Sequence, residues 1–168
     1  MAVASAAMAQ EGHWIDVPFV AQPPEGCGAA AISMLMRYWN SHGATAPAEV
    51  FDTSAIQQKL HSPSDHGIKA SDMVRYFSEH GFRTFAIKGS RNDIEQQIAK
   101  GRPLIAALAP LKNDRILHYV VVAGFVPEEN VVLVNDPAQR KLLKSPWNEF
   151  EKQWSAADYW TLVVVPKS

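Results

Sequence analysis

The apolar residues of this chain follow two different patterns on either side of Gly101. Before Gly101 they recur every three or four residues, as in the segment 32–39, and this spacing is typical of amphipathic helices. After Gly101 they form short continuous runs such as 104–109 and 118–125, which are typical of buried strands. Helices followed by strands that are joined through hairpin turns favour an α+β domain over an alternating parallel-sheet fold.

Turn and capping residues divide the two halves into elements. The predicted helices run from Cys27 to the stop at Gly43, from Pro47 through Leu60, from Ser71 to Gly81, from Ser90 to Gly101, and over 146–154. The predicted strands cover 17–20, 82–87, 104–109, 118–125, 131–135 and 160–165. Because only a short turn separates 118–125 from 131–135, we expect these two strands to form an antiparallel hairpin.

Size and composition limit the class of protein. With 168 residues the chain is long enough for one domain with a substantial core. A net charge of −1 without a basic stripe argues against binding to nucleic acid or to an anionic membrane. Its apolar runs are much shorter than the roughly 18 residues of a membrane span. A single cysteine excludes an intramolecular disulfide and a cysteine-rich zinc site.

Residues 1–12 are expected to be a flexible tail or the remnant of a signal peptide, with residues 13–168 forming a single domain. Ala7-Met8-Ala9 resembles the small-residue cleavage site of a secretory signal, so we expect an exported protein, periplasmic or secreted. A basic n-region and a long apolar stretch are missing from this segment, which keeps a cytoplasmic location as the alternative.

The single cysteine, Cys27, lies at the start of a predicted helix, after a loop stiffened by Pro23 and Pro24. The unpaired N–H groups and the positive dipole end of the helix favour a thiolate, which is the nucleophilic form of the side chain. A free cysteine is also often a small buried apolar residue, and position alone leaves both interpretations open. Glu25 would oppose a thiolate slightly, and we expect its side chain to point into solvent.

A nucleophilic cysteine needs a base, and His118 is the best candidate among the six histidines. It begins an apolar strand, where a polar ring needs a hydrogen-bond partner. Asp136 follows the partner strand of the predicted hairpin, so we expect the two side chains to be neighbours at one edge of the sheet. A carboxylate there could orient the imidazole and stabilise its charged form, although a purely structural pair would be placed in the same way.

The remaining histidines have simpler interpretations. His13 lies at the predicted tail, and His42 and His80 lie at helix C-termini, where a positive charge is favourable. His61 and His66 lie in polar turn sequence without carboxylates at ligand spacing. We therefore expect these two to be solvated, and we predict neither a metal site nor a cofactor.

Acyl transfer also needs hydrogen-bond donors for the oxyanion of the tetrahedral intermediate. The backbone N–H of Cys27 is one candidate. The side-chain amide of Gln22, five residues earlier on the proline-stiffened loop, is the second. Taken alone, Gln22 would be interpreted as a surface glutamine.

These residues together resemble the double-glycine, bacteriocin-processing peptidase family and its stand-alone relatives, which are papain-like cysteine peptidases. The resemblance is carried by Gln22 ahead of Cys27-Gly28-Ala29-Ala30, by His118-Tyr119-Val120-Val121-Val122, and by Asn135-Asp136-Pro137-Ala138. The segments 17–20, 67–73 and 101–105 and the closing strand at Trp160 extend it over most of the chain. The family implies a papain-like α+β fold in which N-terminal helices, including the nucleophile helix, pack on a C-terminal antiparallel sheet.

By this resemblance Cys27 is the nucleophile, His118 the general base and acid, Asp136 the residue that orients His118, and Gln22 the oxyanion-hole donor. Transporter-linked members often carry Asp before the cysteine and Gly-Pro after it, whereas this chain has Gly26 before it and Gly28-Ala29 after it. We therefore expect the fold and the triad of the family in this chain and predict no specific substrate.

The sequence thus predicts a cysteine peptidase that hydrolyses bonds in a peptide or protein substrate through a Cys-His-Asp triad and a glutamine donor. Two alternatives stay open. The same triad could serve an amidase or transpeptidase, or the fold could bind peptides with little or no turnover. The sequence gives no basis for an oligomeric state.

Overall fold

The structure, a computed structural model, describes residues 12–109 and 116–168. Within these residues the chain forms five α-helices, which are α1 (Cys27–Asn40), α2 (Thr53–Leu60), α3 (Ala70–Glu79), α4 (Arg91–Ala99) and α5 (Trp147–Ala156). Its strands are β1 (His13–Trp14), β2 (His61–Ser62), β3 (Gly67–Ile68), β4 (Phe82–Lys88), β5 (Leu104–Leu108), β6 (His118–Val126), β7 (Val131–Asn135), β8 (Leu143–Pro146) and β9 (Trp160–Pro166). The predicted tail or signal remnant, apart from Gly12, lies outside the described residues.

Seven strands form one antiparallel sheet with the order β4-β9-β5-β6-β7-β8, and β1 pairs with the C-terminal part of β6. β6 and β7 are the predicted hairpin, in which Val121 faces Asn135. The other two strands, β2 and β3, form a separate small hairpin. Helices combined with a largely C-terminal antiparallel sheet confirm the predicted α+β fold class.

Helices cover both faces of this sheet. On one face, Asn135 of β7 and its pairing partner Val121 lie under α1, where Nδ2 of Asn135 approaches Sδ of Met34 at 3.8 Å. On the other face, Val120 lines a cavity together with Phe150 of α5. The middle of β6 is therefore buried on both sides. Burial on both sides explains why its sequence is a continuous apolar run instead of an alternating one.

The predicted strand at 17–20 is wrong. The segment has no partner strand, and β1 joins the sheet in its place. Asn135 holds this segment, because its Nδ2 donates to the backbone oxygen of Val17 at 3.1 Å. The apolar sequence here reflects burial, since Val17 is fully buried.

The second predicted helix is divided in two. Residues Ala48–Phe51 form a 3-10 turn, and Asp52 then caps α2 by accepting from the N–H of Ala55 at 2.8 Å. The strand β8 was not predicted, because Leu143-Lys144-Ser145-Pro146 is short and half polar. In the part of the chain that the structure describes, no helix has the length and apolar character needed to cross a membrane.

Candidate active site

Cys27 is the first residue of α1 and lies where this helix meets the β2–β3 hairpin. A Cβ atom on the preceding Gly26 would lie 2.4 Å from Cγ of Pro23, so the loop leaves room only for glycine before the cysteine. A Cβ atom on Gly28 would lie 3.0 Å from Cβ of Ile68 in β3, so the first turn of the helix packs closely on the hairpin. Cys27 is 8% exposed and lines a groove at this junction.

The structure brings His118 and Asp136 into direct contact, with Nε2 of His118 lying 2.8 Å from Oδ1 of Asp136. The hairpin explains the contact, since β6 begins at His118 and β7 ends one residue before Asp136. Two further donors hold the carboxylate, namely the N–H of Ala138 at 2.9 Å and Nε2 of Gln139 at 2.8 Å. Three donors around a carboxylate that is only 6% exposed favour its ionised form.

Gln139 was not predicted as part of the site. Its side chain turns back onto Asp136, three residues earlier, in the turn that follows β7. The segment Asp136-Pro137-Ala138 is typical turn sequence. A turn there places the side chain at position 139 near the carboxylate, so this signal was available in the sequence.

The hydrogen bonds of His118 control its charge. Burial of the imidazole lowers the pKa of His118, but hydrogen bonds with Asp136 and with the thiol of Cys27 raise it more, from 6.5 to about 9. Burial raises the pKa of Asp136, but the hydrogen bond and charge of His118 together with the donors of Ala138 and Gln139 outweigh burial, and the net direction is downward. Since Nε2 of His118 serves Asp136, Nδ1 is the ring nitrogen left for the thiol. His118 and Asp136 share a direct hydrogen bond, and Sγ of Cys27 contacts the backbone oxygen of Leu117, the residue before His118, at 4.0 Å. Cys27, His118 and Asp136 are thereby linked in one chain of contacts through the start of β6.

Gln22 lies next to this chain of contacts. Its backbone N–H donates to the backbone oxygen of Pro137 at 2.9 Å, which ties the start of the nucleophile loop to the residue after Asp136. Its side-chain oxygen Oε1 is buried and meets no hydrogen-bond donor among the described residues. A buried amide group without a full set of partners is uncommon in a folded protein.

Glu25 is 44% exposed, in agreement with the expectation that it points into solvent, but its carboxylate also has two partners. Oε2 of Glu25 lies 2.8 Å from Nε2 of His61, and Oε1 lies 2.9 Å from Nδ1 of His66. The side chain of His66 is 56% exposed, as expected, and that of His61 is 25% exposed, but the carboxylate that both contact was not predicted. Their contact arises because the β2–β3 hairpin folds back onto the nucleophile loop, 36 and 41 residues away in sequence.

A groove of ≈ 450 Å³ passes Cys27. One wall is the β2–β3 hairpin and the residues that follow it, and the other wall is the approach to β6. The lining residues are Cys27, Ser64, Asp65, His66, Gly67, Ile68, Lys69, Ala70, Ile116, Leu117 and Tyr119. Charged, polar and apolar side chains all contribute. Within residues 12–109 and 116–168, no three His, Cys, Asp or Glu side chains are grouped so that they could hold a metal ion.

Comparison with known proteins assigns the chain to a family. The family model described as Peptidase_C39 like family matches residues 14–161. A search of curated proteins found no match to this chain.

Solved structures share the fold. A C39-like peptidase from Bacillus anthracis has a TM-score of 0.70 at 18% identity, over 95% of this chain and 100% of the other. The peptidase domain of Streptococcus ComA, a bifunctional ABC transporter of a quorum-sensing pathway, has a TM-score of 0.64 at 20% identity, over 89% and 98%. A double-glycine-motif protease from an AMS/PCAT transporter, in complex with the leader peptide, has a TM-score of 0.64 at 20% identity, over 92% and 95%.

Proposed function

Since the chain belongs to the Peptidase_C39 like family and has its papain-like fold, we propose that it is a cysteine peptidase that hydrolyses peptide bonds. The observation that supports this most strongly is the chain of contacts from Cys27 through His118 to Asp136. A pKa of about 9 keeps His118 protonated at neutral pH. An imidazolium beside the thiol stabilises the thiolate by its charge.

The reaction begins when Sγ of Cys27 attacks the carbonyl carbon of the substrate. The backbone N–H of Cys27 and the side-chain amide of Gln22 donate to the oxyanion that forms. His118 gives its proton to the leaving amine, the C–N bond breaks, and an acyl-thioester remains on the sulfur. His118 then takes a proton from water, which attacks the thioester and releases the carboxylic acid and the cysteine.

Asp136 keeps His118 in the orientation that the proton transfers require. It binds Nε2 of His118, so Nδ1 faces the sulfur. Its own position is fixed by Gln139 and by the N–H of Ala138. In this arrangement the carboxylate stays ionised throughout and stabilises the imidazolium.

The substrate class that we propose is a peptide segment. The groove that passes Cys27 has charged, polar and apolar residues in its walls, which offers contacts to a peptide backbone and to varied side chains. One structural relative was solved with a leader peptide, which supports a peptide segment as the substrate class here.

Alkylation by iodoacetamide at pH 6 tests the activated thiol directly. We expect wild-type Cys27 to react faster than a free cysteine and His118→Ala to react more slowly by on the order of 10²-fold, because the thiolate loses its imidazolium partner. His80→Ala is the control, since Nδ1 of His80 contacts the backbone oxygen of Tyr76 just after the end of α3, and His80 does not line the groove. A wild-type rate no faster than that of a free thiol would refute the proposal.

Cleavage of a peptide library, mapped by mass spectrometry, tests turnover. We expect cleaved peptides with the wild-type protein and none with Cys27→Ser. An activated thiol that cleaves no peptide in the library would favour the amidase, transpeptidase or binding alternatives over a peptidase.

A further inference from the structure

We propose that Glu25, His61 and His66 form a clasp that positions the nucleophile loop and one wall of the substrate groove. The three are positioning residues, because their polar atoms face one another and hold the backbone on both sides of the contact, although His66 also lines the groove. The proposal rests on the proposed peptidase function and adds to it the residues that set the shape of the site.

The clasp joins one residue of the loop to both ends of the β2–β3 hairpin. His61 is the first residue of β2, and His66 directly precedes β3. Each histidine contacts a different carboxylate oxygen of Glu25, at 2.8 and 2.9 Å. Two contacts from opposite ends of one hairpin fix its tilt as well as its distance from the loop.

Backbone strain occurs at the same three-residue cluster. Glu25 has φ +55° and His66 has φ +51°, so both adopt the left-handed conformation that non-glycine residues seldom adopt. Such a conformation persists only where the surrounding contacts hold it, and it is common at functional sites. The side-chain contacts of the clasp supply this restraint at two positions at once.

Other contacts show that the whole loop from Gln22 to Gly26 is tied down. On the hairpin side, Nε2 of Gln57 in α2 donates to the backbone oxygen of Pro24 at 3.2 Å. On the triad side, the N–H of Gln22 donates to Pro137 at 2.9 Å. The clasp completes a set of restraints that hold this loop from both directions.

Two parts of the proposed mechanism depend on the clasp. Glu25 lies two residues before Cys27, so its φ helps to aim the N–H of Cys27, the proposed oxyanion donor. The hairpin also contributes residues 64–68 to the groove wall, and Ile68 packs on Gly28 at the start of α1. Releasing the clasp should therefore impair substrate positioning and oxyanion binding while leaving the thiolate and its imidazolium in place.

Two covalent probes separate these effects. Iodoacetamide is small and reacts by displacement without an oxyanion, so its rate reports the thiolate alone. A chloromethyl ketone built on the acyl side of a peptide that the wild-type protein cleaves must occupy the groove, with its ketone oxygen at the proposed oxyanion donors, while the thiolate displaces chloride. Rates with both probes are measured for Glu25→Gln, His61→Asn and His66→Asn, the last because asparagine tolerates a left-handed backbone.

We expect each variant to react with the chloromethyl ketone about tenfold more slowly than wild type and with iodoacetamide within about twofold of wild type. Glu25→Gln should react slightly faster with iodoacetamide, because it removes a negative charge near the thiolate. With the chloromethyl ketone, the Glu25→Gln/His61→Asn double variant should react no more slowly than Glu25→Gln alone, because both substitutions break the same contact between Glu25 and His61. Glu129→Gln is the control, because it breaks an exposed ion pair with Lys144 at the far end of the β6–β7 hairpin.

Three results would overturn the clasp. These are an unchanged chloromethyl ketone rate, an equal loss with both probes, or losses that multiply in the double variant. The proposed peptidase function is refuted by a different result, namely a reaction of wild-type Cys27 with iodoacetamide that is no faster than that of a free thiol.

Discussion

Cys27 lies between two carboxylate–histidine groups that are alike in geometry and opposite in environment. On the triad side, Asp136 is buried and contacts His118 at 2.8 Å. On the hairpin side, Glu25 contacts His61 and His66 at 2.8 and 2.9 Å, but its side chain is 44% exposed. Water screens the exposed group far more than the buried one. The same contact can therefore control a proton on one side and hold a backbone shape on the other.

Asp136→Asn, on the triad side, should have the largest effect on activity. We expect turnover of a cleaved peptide to fall by on the order of 10²-fold, because His118 loses its orientation and its charge partner. The pKa of His118 should also fall from about 9, so the alkaline limb of turnover, above which His118 can no longer protonate the leaving amine, should move to lower pH. Asp158→Asn is the control, since that carboxylate pairs with Lys88 at the surface.

The free energy of unfolding should also depend on pH through His118 and Asp136. The raised pKa of His118 contributes stability that is complete below 6.5 and is lost as the pH rises through about 9. The lowered pKa of Asp136 contributes stability above 3.8 that is lost as the pH falls below this value.

An alkaline limb that does not move in Asp136→Asn would mean that Asp136 is not what raises the pKa of His118.

The difference in burial also explains what the sequence could predict. A histidine at the start of a continuous apolar run requires a partner, and the hairpin turn identifies Asp136 as that partner from the sequence alone. The predicted family and the α+β fold class are confirmed. The fold class depends on apolar patterns and the family on the order of a few polar motifs, and the sequence shows both directly.

The hairpin side could not be predicted, because exposed polar turns look alike in sequence. Nothing in residues 61–68 indicates that they return to Glu25, and contacts between exposed charges leave no apolar pattern. The strand predicted at 17–20 failed for the opposite reason. Val17 is buried and Phe19 and Val20 are partly buried, but the segment is held by a side chain, Asn135, and not by a neighbouring strand. The cap at Asp52 was visible in the sequence and could have located the start of α2.

Gln139→Ala should give a smaller loss on the triad side. It removes one donor from a buried carboxylate but leaves the contact between His118 and Asp136. We expect turnover to fall about threefold to tenfold, and its alkaline limb to shift in the same direction as in Asp136→Asn but by less. Gln153→Ala is the matched control, because Gln153 lines the same cavity on α5. A limb that stays in place while turnover falls would assign Gln139 to substrate contact instead of to the support of Asp136.

Glu25→Gln should have the smallest effect on thermal stability, even though it slows the reaction with the chloromethyl ketone. Because its contacts with His61 and His66 are exposed, we expect the midpoint of thermal unfolding at pH 7 to stay close to that of wild type. Asp136→Asn should lower the same midpoint by about 5 °C, since it weakens a buried, fully hydrogen-bonded carboxylate. Equal losses in the two variants would show that the clasp contributes to the stability of the whole domain. The contrast in burial would then no longer separate residues that control the proton from residues that shape the site.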